Sequence, residues 1–110
     1  MKIKEYLRRD GTSPFASWLK SLDGSLKYRV QARIMKLKSD EHFGFTKRLG
    51  VNLYELKFRT LGGIRIYYGI DGKNLVILLC GGDKNKQSKD IEKAQIYWAD
   101  YHNRSDEEEV

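Results

Sequence analysis

Polar and apolar positions alternate through "KIKEYL" (residues 2–7), with Ile3, Glu5 and Leu7 on one side and Lys2, Lys4 and Tyr6 on the other, the period of a half-buried strand. "DGTSP" breaks that pattern. In "SPFASWLKSL" the period lengthens, and Phe15, Trp18, Leu19 and Leu22 recur at helical spacing behind a capping Ser13 and a Pro14 suited to the first helical position. A turn at "DGS" leads to a second helix from about Leu26, whose apolar stripe is Leu26, Val30, Ile34 and Leu37, with Arg29, Arg33 and Lys36 beside it. The segment "DEHFGFTKRLG" (40–50) is expected to be a loop. "VNLYELKFR" then places Tyr54, Leu56 and Phe58 on one face and Leu53, Glu55, Lys57 and Arg59 on the other, which predicts one core face and one wet face. "GGIRIYYGI" repeats the division, with Ile64, Ile66 and Tyr68 inward and Arg65 and Tyr67 outward. Asp71 and Gly72 form a hairpin signal ahead of "KNLVILLC", which is apolar on both faces and therefore predicted to lie inside the sheet. A final helix starts near Ser88 or Asp90 and buries Ile91, Ala94, Trp98 and Tyr101. The predicted order is strand, two helices, three strands, helix. That order describes an α+β fold, a small twisted antiparallel sheet with an N-terminal helical hairpin and a C-terminal helix.

Length fits one domain, placed at residues 1–104. Residues 105–110 carry no periodicity and nothing to bury, so they are expected to form a disordered acidic tail. Charge changes the picture more than length does. The chain has 21 Lys and Arg against 15 Asp and Glu, but four of those acids fall in the closing "DEEEV", so residues 1–105 carry a net +10. A body this basic attracts polyanions, of which nucleic acid is the commonest. No apolar run is long enough to span a bilayer and "MKIKEYLRRD" has no apolar signal core, which predicts a cytoplasmic protein with no membrane partner. Cys80 is the only cysteine and is expected to pack as a small hydrophobe. With two histidines far from it, no metal or other cofactor is expected.

The short turn from Leu61 to Gly63 should bring Glu55, Lys57, Arg65 and Tyr67 onto one side of the sheet, with Lys84 arriving from the loop that follows the apolar strand. Several cations around one carboxylate suit a phosphodiester, because Arg forks onto phosphate oxygens and Lys supplies a mobile charge. RNA cleavage needs no metal when the neighbouring 2′-hydroxyl is the nucleophile. Glu55 can act as the base, Arg65 and Lys57 can hold the developing charge, and Lys84 or Lys57 can return a proton to the leaving oxygen. Lys47, Arg48, Arg59, Lys86 and Lys89 are candidate contacts to an RNA backbone, and Tyr67 can stack on a base. The same residues also fit a plainer role, since strand faces carry Glu and Lys as cross-strand charge pairs and glycines such as those of "GGDK" permit tight turns.

The stretches "LYELKFRTLGGIRIYY" and "VILLCGGDKNKQSKDIEKAQIYWADY", together with "SPFASWLKSL" and "FGFTKRLG", resemble the addiction-module killer proteins, HigB-like members of the RelE/ParE toxin superfamily. The resemblance spans nearly the whole chain apart from the acidic segment. It implies a RelE-like fold and a type II toxin neutralised by a cognate antitoxin, with the ribosome and mRNA as targets and operator DNA reached through the antitoxin complex. It further implies metal-independent mRNA cleavage by the 2′-hydroxyl route, with the basic site positions carried onto Lys57, Arg65 and Lys84 and with Glu55 in the same motif. Two positions depart from the usual pattern: Lys57 stands where the family has arginine, and Ile64 where it has an aromatic residue. The superfamily also contains ParE-like inhibitors of DNA gyrase, and an inactive toxin acting with its antitoxin as a nucleic-acid-binding regulator is a third possibility.

Overall fold

Side-chain caps set where the first two helices begin. In the computed structural model, which describes residues 1–40, 46–59 and 62–109, the Ser13 hydroxyl accepts from the Ala16 amide at 3.0 Å and starts helix α1, Pro14–Ser21. Asp23 accepts from the Leu26 amide at 2.9 Å in the same way, so α2 runs over Gly24–Asp40 and begins two residues ahead of the expected Leu26. The strands are β1 (Lys2–Glu5), β2 (Thr46–Gly50), β3 (Leu53–Lys57), β4 (Arg65–Asp71) and β5 (Leu75–Gly82). A 3-10 turn, Lys84–Lys86, leads into helix α3, Gln87–Glu109.

The five strands form one sheet in the order β1-β5-β4-β3-β2. Three pairings are antiparallel, while β1 runs parallel to β5, so the sheet is mixed. The expected α+β arrangement is present, and β5 lies inside it as its two apolar faces require. The turn between β4 and β5 is the expected one, with Gly72 at a φ of 70°, a left-handed conformation that glycine adopts without a Cβ penalty.

Two cores flank the sheet. On one side α1 and α2 cover Leu56, Phe58, Ile66, Tyr68, Val76 and Leu78, meeting them with Phe15, Val30 and Leu37. On the other side α3 sets Ala94 and Trp98 against Leu53, Tyr67, Ile77 and Leu79. The second core corrects the expectation of a wet face: Leu53, Glu55, Arg65 and Tyr67 are all buried. A period-2 pattern assigns residues to faces, but only the path of α3 decides whether the polar face meets water.

Three further expectations change. Residues 46–50, expected in a loop, form the edge strand β2; the rest of that loop, 41–45, lies outside the described residues. An edge strand with Lys47 and Arg48 and only one neighbour needs little apolar patterning, so its sequence carries no strand period. At the N-terminus Tyr6, not Leu7, is buried, because the chain leaves β1 and stacks Tyr6 on Tyr97 of α3 at 5.1 Å. The segment expected to be disordered has helical backbone as far as Glu109. Extending an existing helix needs no new nucleus, and glutamate is a good helix former. Among the described residues, no helix is long and apolar enough to cross a membrane.

Candidate functional site

Antiparallel register gathers the predicted cluster. Glu55 lies opposite Tyr67 and Lys57 opposite Arg65 on β3 and β4, Lys47 of β2 lies opposite Glu55, and Gly82 of β5 lies opposite Arg65. A cleft of about 350 Å³ opens over this part of the sheet, lined by Thr46, Lys47, Glu55, Lys57, Arg65 and Gln87. Its floor is charged yet nearly sealed: Glu55 is 4 % exposed and Arg65 7 %.

Such burial requires partners, since an unpaired ion away from water is costly. The Arg65 guanidinium donates through Nη1 to the Gly63 carbonyl at 2.7 Å, and its Nε stands 3.7 Å from Glu55 Oε1. The other Glu55 oxygen accepts from Gln87 Nε2 at 2.9 Å. Gly62 and Gly63 have φ values of 63° and 80°, which lets the β3–β4 connection turn tightly enough to bring the Gly63 carbonyl to Arg65. Phe58 N–H also donates to the Ile64 carbonyl across this connection, at 2.9 Å. Thr60 and Leu61 of the same connection lie outside the described residues.

Lys84 is exposed and comes up beside the same turn, where a Cβ built on Gly63 would stand 3.3 Å from its stem. Lys57 and Lys47 are exposed at the cleft. The structure therefore collects Glu55, Lys57 and Arg65 with Lys47 and brings Lys84 to their edge. The remaining candidates disperse. Arg48 faces the opposite side of the sheet, opposite Tyr54, and its Nε donates to the Gly50 carbonyl at 3.0 Å. Arg59 is exposed just beyond β3, Lys86 is exposed at the end of the 3-10 turn, and Lys89 is exposed in the first turn of α3. Tyr67 is 0 % exposed, so its ring offers no surface to a base. Burial first, then the charges of Glu55 and Asp90, push its phenol well above the ordinary tyrosine range.

Gln87 and Thr46 belong to the cleft and were not singled out from sequence. Gln87 does fall within the quoted "GGDKNKQSKDI" stretch, but its role depends on reaching a residue 32 positions away. Thr46 was hidden in the expected loop. Asp90, expected only as a possible start of the final helix, is 6 % exposed, and burial raises its carboxyl above the usual range against the pull of Lys93 and Lys86.

The fold is that of RelE. The isolated Escherichia coli RelE toxin superposes with a TM-score of 0.56, at 15 % identity, over 84 % of this chain and 96 % of the toxin. A chain of the intact E. coli RelBE toxin–antitoxin complex gives the same score and identity over 74 % of this chain and 94 % of that one. In sequence, an uncharacterised protein of Haemophilus influenzae is 40 % identical over 86 residues, covering 77 % of this chain and 86 % of the relative. The profile of the phage-derived Gp49-like proteins (DUF891) matches residues 17–102, which hold every residue of the cleft, and the chain belongs to that family.

Proposed function

We propose that this protein is the toxin of a type II toxin–antitoxin module and that it cuts mRNA on the ribosome, in the cytoplasm, until an antitoxin neutralises it. The observation that carries the reading is the buried Arg65–Glu55–Gln87 assembly edged by the exposed Lys47, Lys57 and Lys84, on a RelE-like fold. A phosphodiester seated there meets a preset guanidinium and mobile ammonium groups, with a carboxylate beside them. Glu55 takes the proton of the 2′-hydroxyl, whose oxygen attacks phosphorus. Arg65 and Lys57 hold the added negative charge, and Lys84 protonates the departing 5′ oxygen. The products are a 2′,3′-cyclic phosphate and a 5′-hydroxyl. The basic body gives an antitoxin with an acidic binding segment an electrostatic hold.

The test is expression without antitoxin, with 5′ ends mapped by primer extension on a translated transcript and on the same transcript lacking its start codon. Cuts are expected only on the translated message, and Lys84→Ala should slow them about 100-fold, the scale of one lost transition-state contact. Equal protein synthesis in extracts with and without the protein would overturn the reading. The pairing of Glu55 with Arg65 favours a second reading, in which the cleft grips without cutting. Toxicity with intact message and failing DNA supercoiling would identify that case as a gyrase inhibitor.

A further inference from the structure

The pairing of β1 with β5 stops at Leu78, so the last residues of β5, up to Gly82, have no strand neighbour on that side. A second cavity, of about 520 Å³, opens there between α1 and the start of α3. The two glycines ending β5 shape it in opposite directions. A Cβ at Gly81 would collide with the Trp18 ring, and a Cβ at Gly82 would collide with the Asp90 carboxylate. The bare backbone thus admits an aromatic ring on one side and a carboxylate on the other, and both line the cavity together with Arg8, Lys86 and Lys93. Asp90 is buried, and its Oδ2 accepts no hydrogen bond among the described residues. The fold thus carries an unsatisfied buried acceptor, which is costly unless something bound there supplies donors.

An aromatic wall, a bare carboxylate and a cationic rim form a set that matches a nucleotide: a ring to lie on Trp18, N–H donors for Asp90 and a phosphate for the lysines. The carboxylate selects among the bases, because when ionised it only accepts hydrogen bonds. Guanine presents two adjacent donors, N1–H and the 2-amino group. Adenine and cytosine set a ring-nitrogen acceptor beside their amino group, and uracil flanks its single N–H with two carbonyls. We propose that this cavity is a binding site for a guanosine monophosphate unit, with Asp90 reading the base, Trp18 stacking on it, and Lys86 and Lys93 holding the phosphate. The unit is either a free nucleotide or one residue of an RNA strand; only the second rests on the nuclease reading.

Calorimetric titration of the full chain separates these cases. 5′-GMP should bind about tenfold or more tightly than 5′-AMP, and inosine monophosphate, which lacks only the 2-amino group, should lose about tenfold of the GMP affinity. Asp90→Asn, nearly isosteric against Gly82, should bring GMP and AMP to within about threefold of each other. Lys86→Ala should weaken both nucleotides alike. If a 2′-O-methyl pentanucleotide with a central guanine, which cannot be cut, binds more tightly than GMP, the natural ligand is a residue of RNA. Equal binding of the two identifies a free nucleotide. Comparable affinity of the unaltered protein for GMP, AMP and inosine monophosphate, or no GMP binding, would overturn the proposal whether or not the Asp90→Asn variant folds. Neither Arg65 nor Lys84 lines this cavity, so undiminished cleavage in their variants, with GMP binding by the unaltered protein as expected, would count against the nuclease reading alone.

Discussion

Arg65 is where stability and the proposed chemistry meet in a single side chain. Its guanidinium is held by the Gly63 carbonyl and stands against Glu55, which Gln87 fixes from the other side. Replacing Arg65 by methionine would leave Glu55 buried without its cation, and about 3–5 kcal/mol of unfolding free energy should be lost in urea titrations. Lys84→Ala, on an exposed side chain, should change the same quantity by less than about 0.5 kcal/mol. A similar loss in both variants would mean that the Arg65–Glu55 pair contributes nothing to the fold. The contrast also marks what the sequence could disclose. Alternation along two strands joined by a short turn placed Glu55, Lys57 and Arg65 side by side, because register is local. The burial of Glu55 and Arg65 was not legible, since it depends on a helix more than twenty residues further on, and neither was the contact from Gln87.

At the scale of elements, α3 is the piece that converts a sheet with one polar face into a three-layer molecule. Near its start Gln87 reaches Glu55, in its middle Trp98 Nε1 donates to the Val51 carbonyl at 3.0 Å, and further on Asp100 accepts from the Tyr6 hydroxyl at 2.5 Å. Arg104 pairs with Asp100 at 3.1 Å and also donates to the Leu7 carbonyl. Burial and the hydrogen bond to Asp100 push the Tyr6 phenol up from 10.0 to about 12. A raised acid favours the folded state fully below its unfolded value and loses that contribution as pH climbs through the folded one. Thermal stability should therefore fall between pH 10 and about 12, and Tyr6→Phe should remove part of that slope while lowering stability at pH 8. An unchanged slope in the variant would assign alkaline sensitivity to Tyr67, Tyr68 and Cys80, which burial also raises. The helices were legible from their stripes and caps. The strand β2 was not, because an edge strand of charged residues carries no apolar period, and the parallel docking of β1 is a long-range choice that local pattern does not record.

For the molecule as a whole, charge and shape act at opposite ends. The 23 residues of α3 span roughly 34 Å at the helical rise, starting beside the cleft, so Glu109 lies far from it. Removing residues 105–110 leaves a more basic protein and should raise affinity for single-stranded RNA through the general field. The slope of log K against log salt, which counts phosphates neutralised in contact, should stay the same. A steeper slope in the shortened chain would mean that the acids had been occupying phosphate sites. The parallel ladder between β1 and β5 has an effect of another kind, on timing. Lys2 must wait for Leu75, and Glu55 for Gln87, before either finds its partner. Contacts this distant form late, and a chain still being threaded out of a ribosome cannot close them. The cleft comes together only when most of the polypeptide has emerged, so a partly made chain has no assembled cleft and its chemistry waits for release of the whole domain.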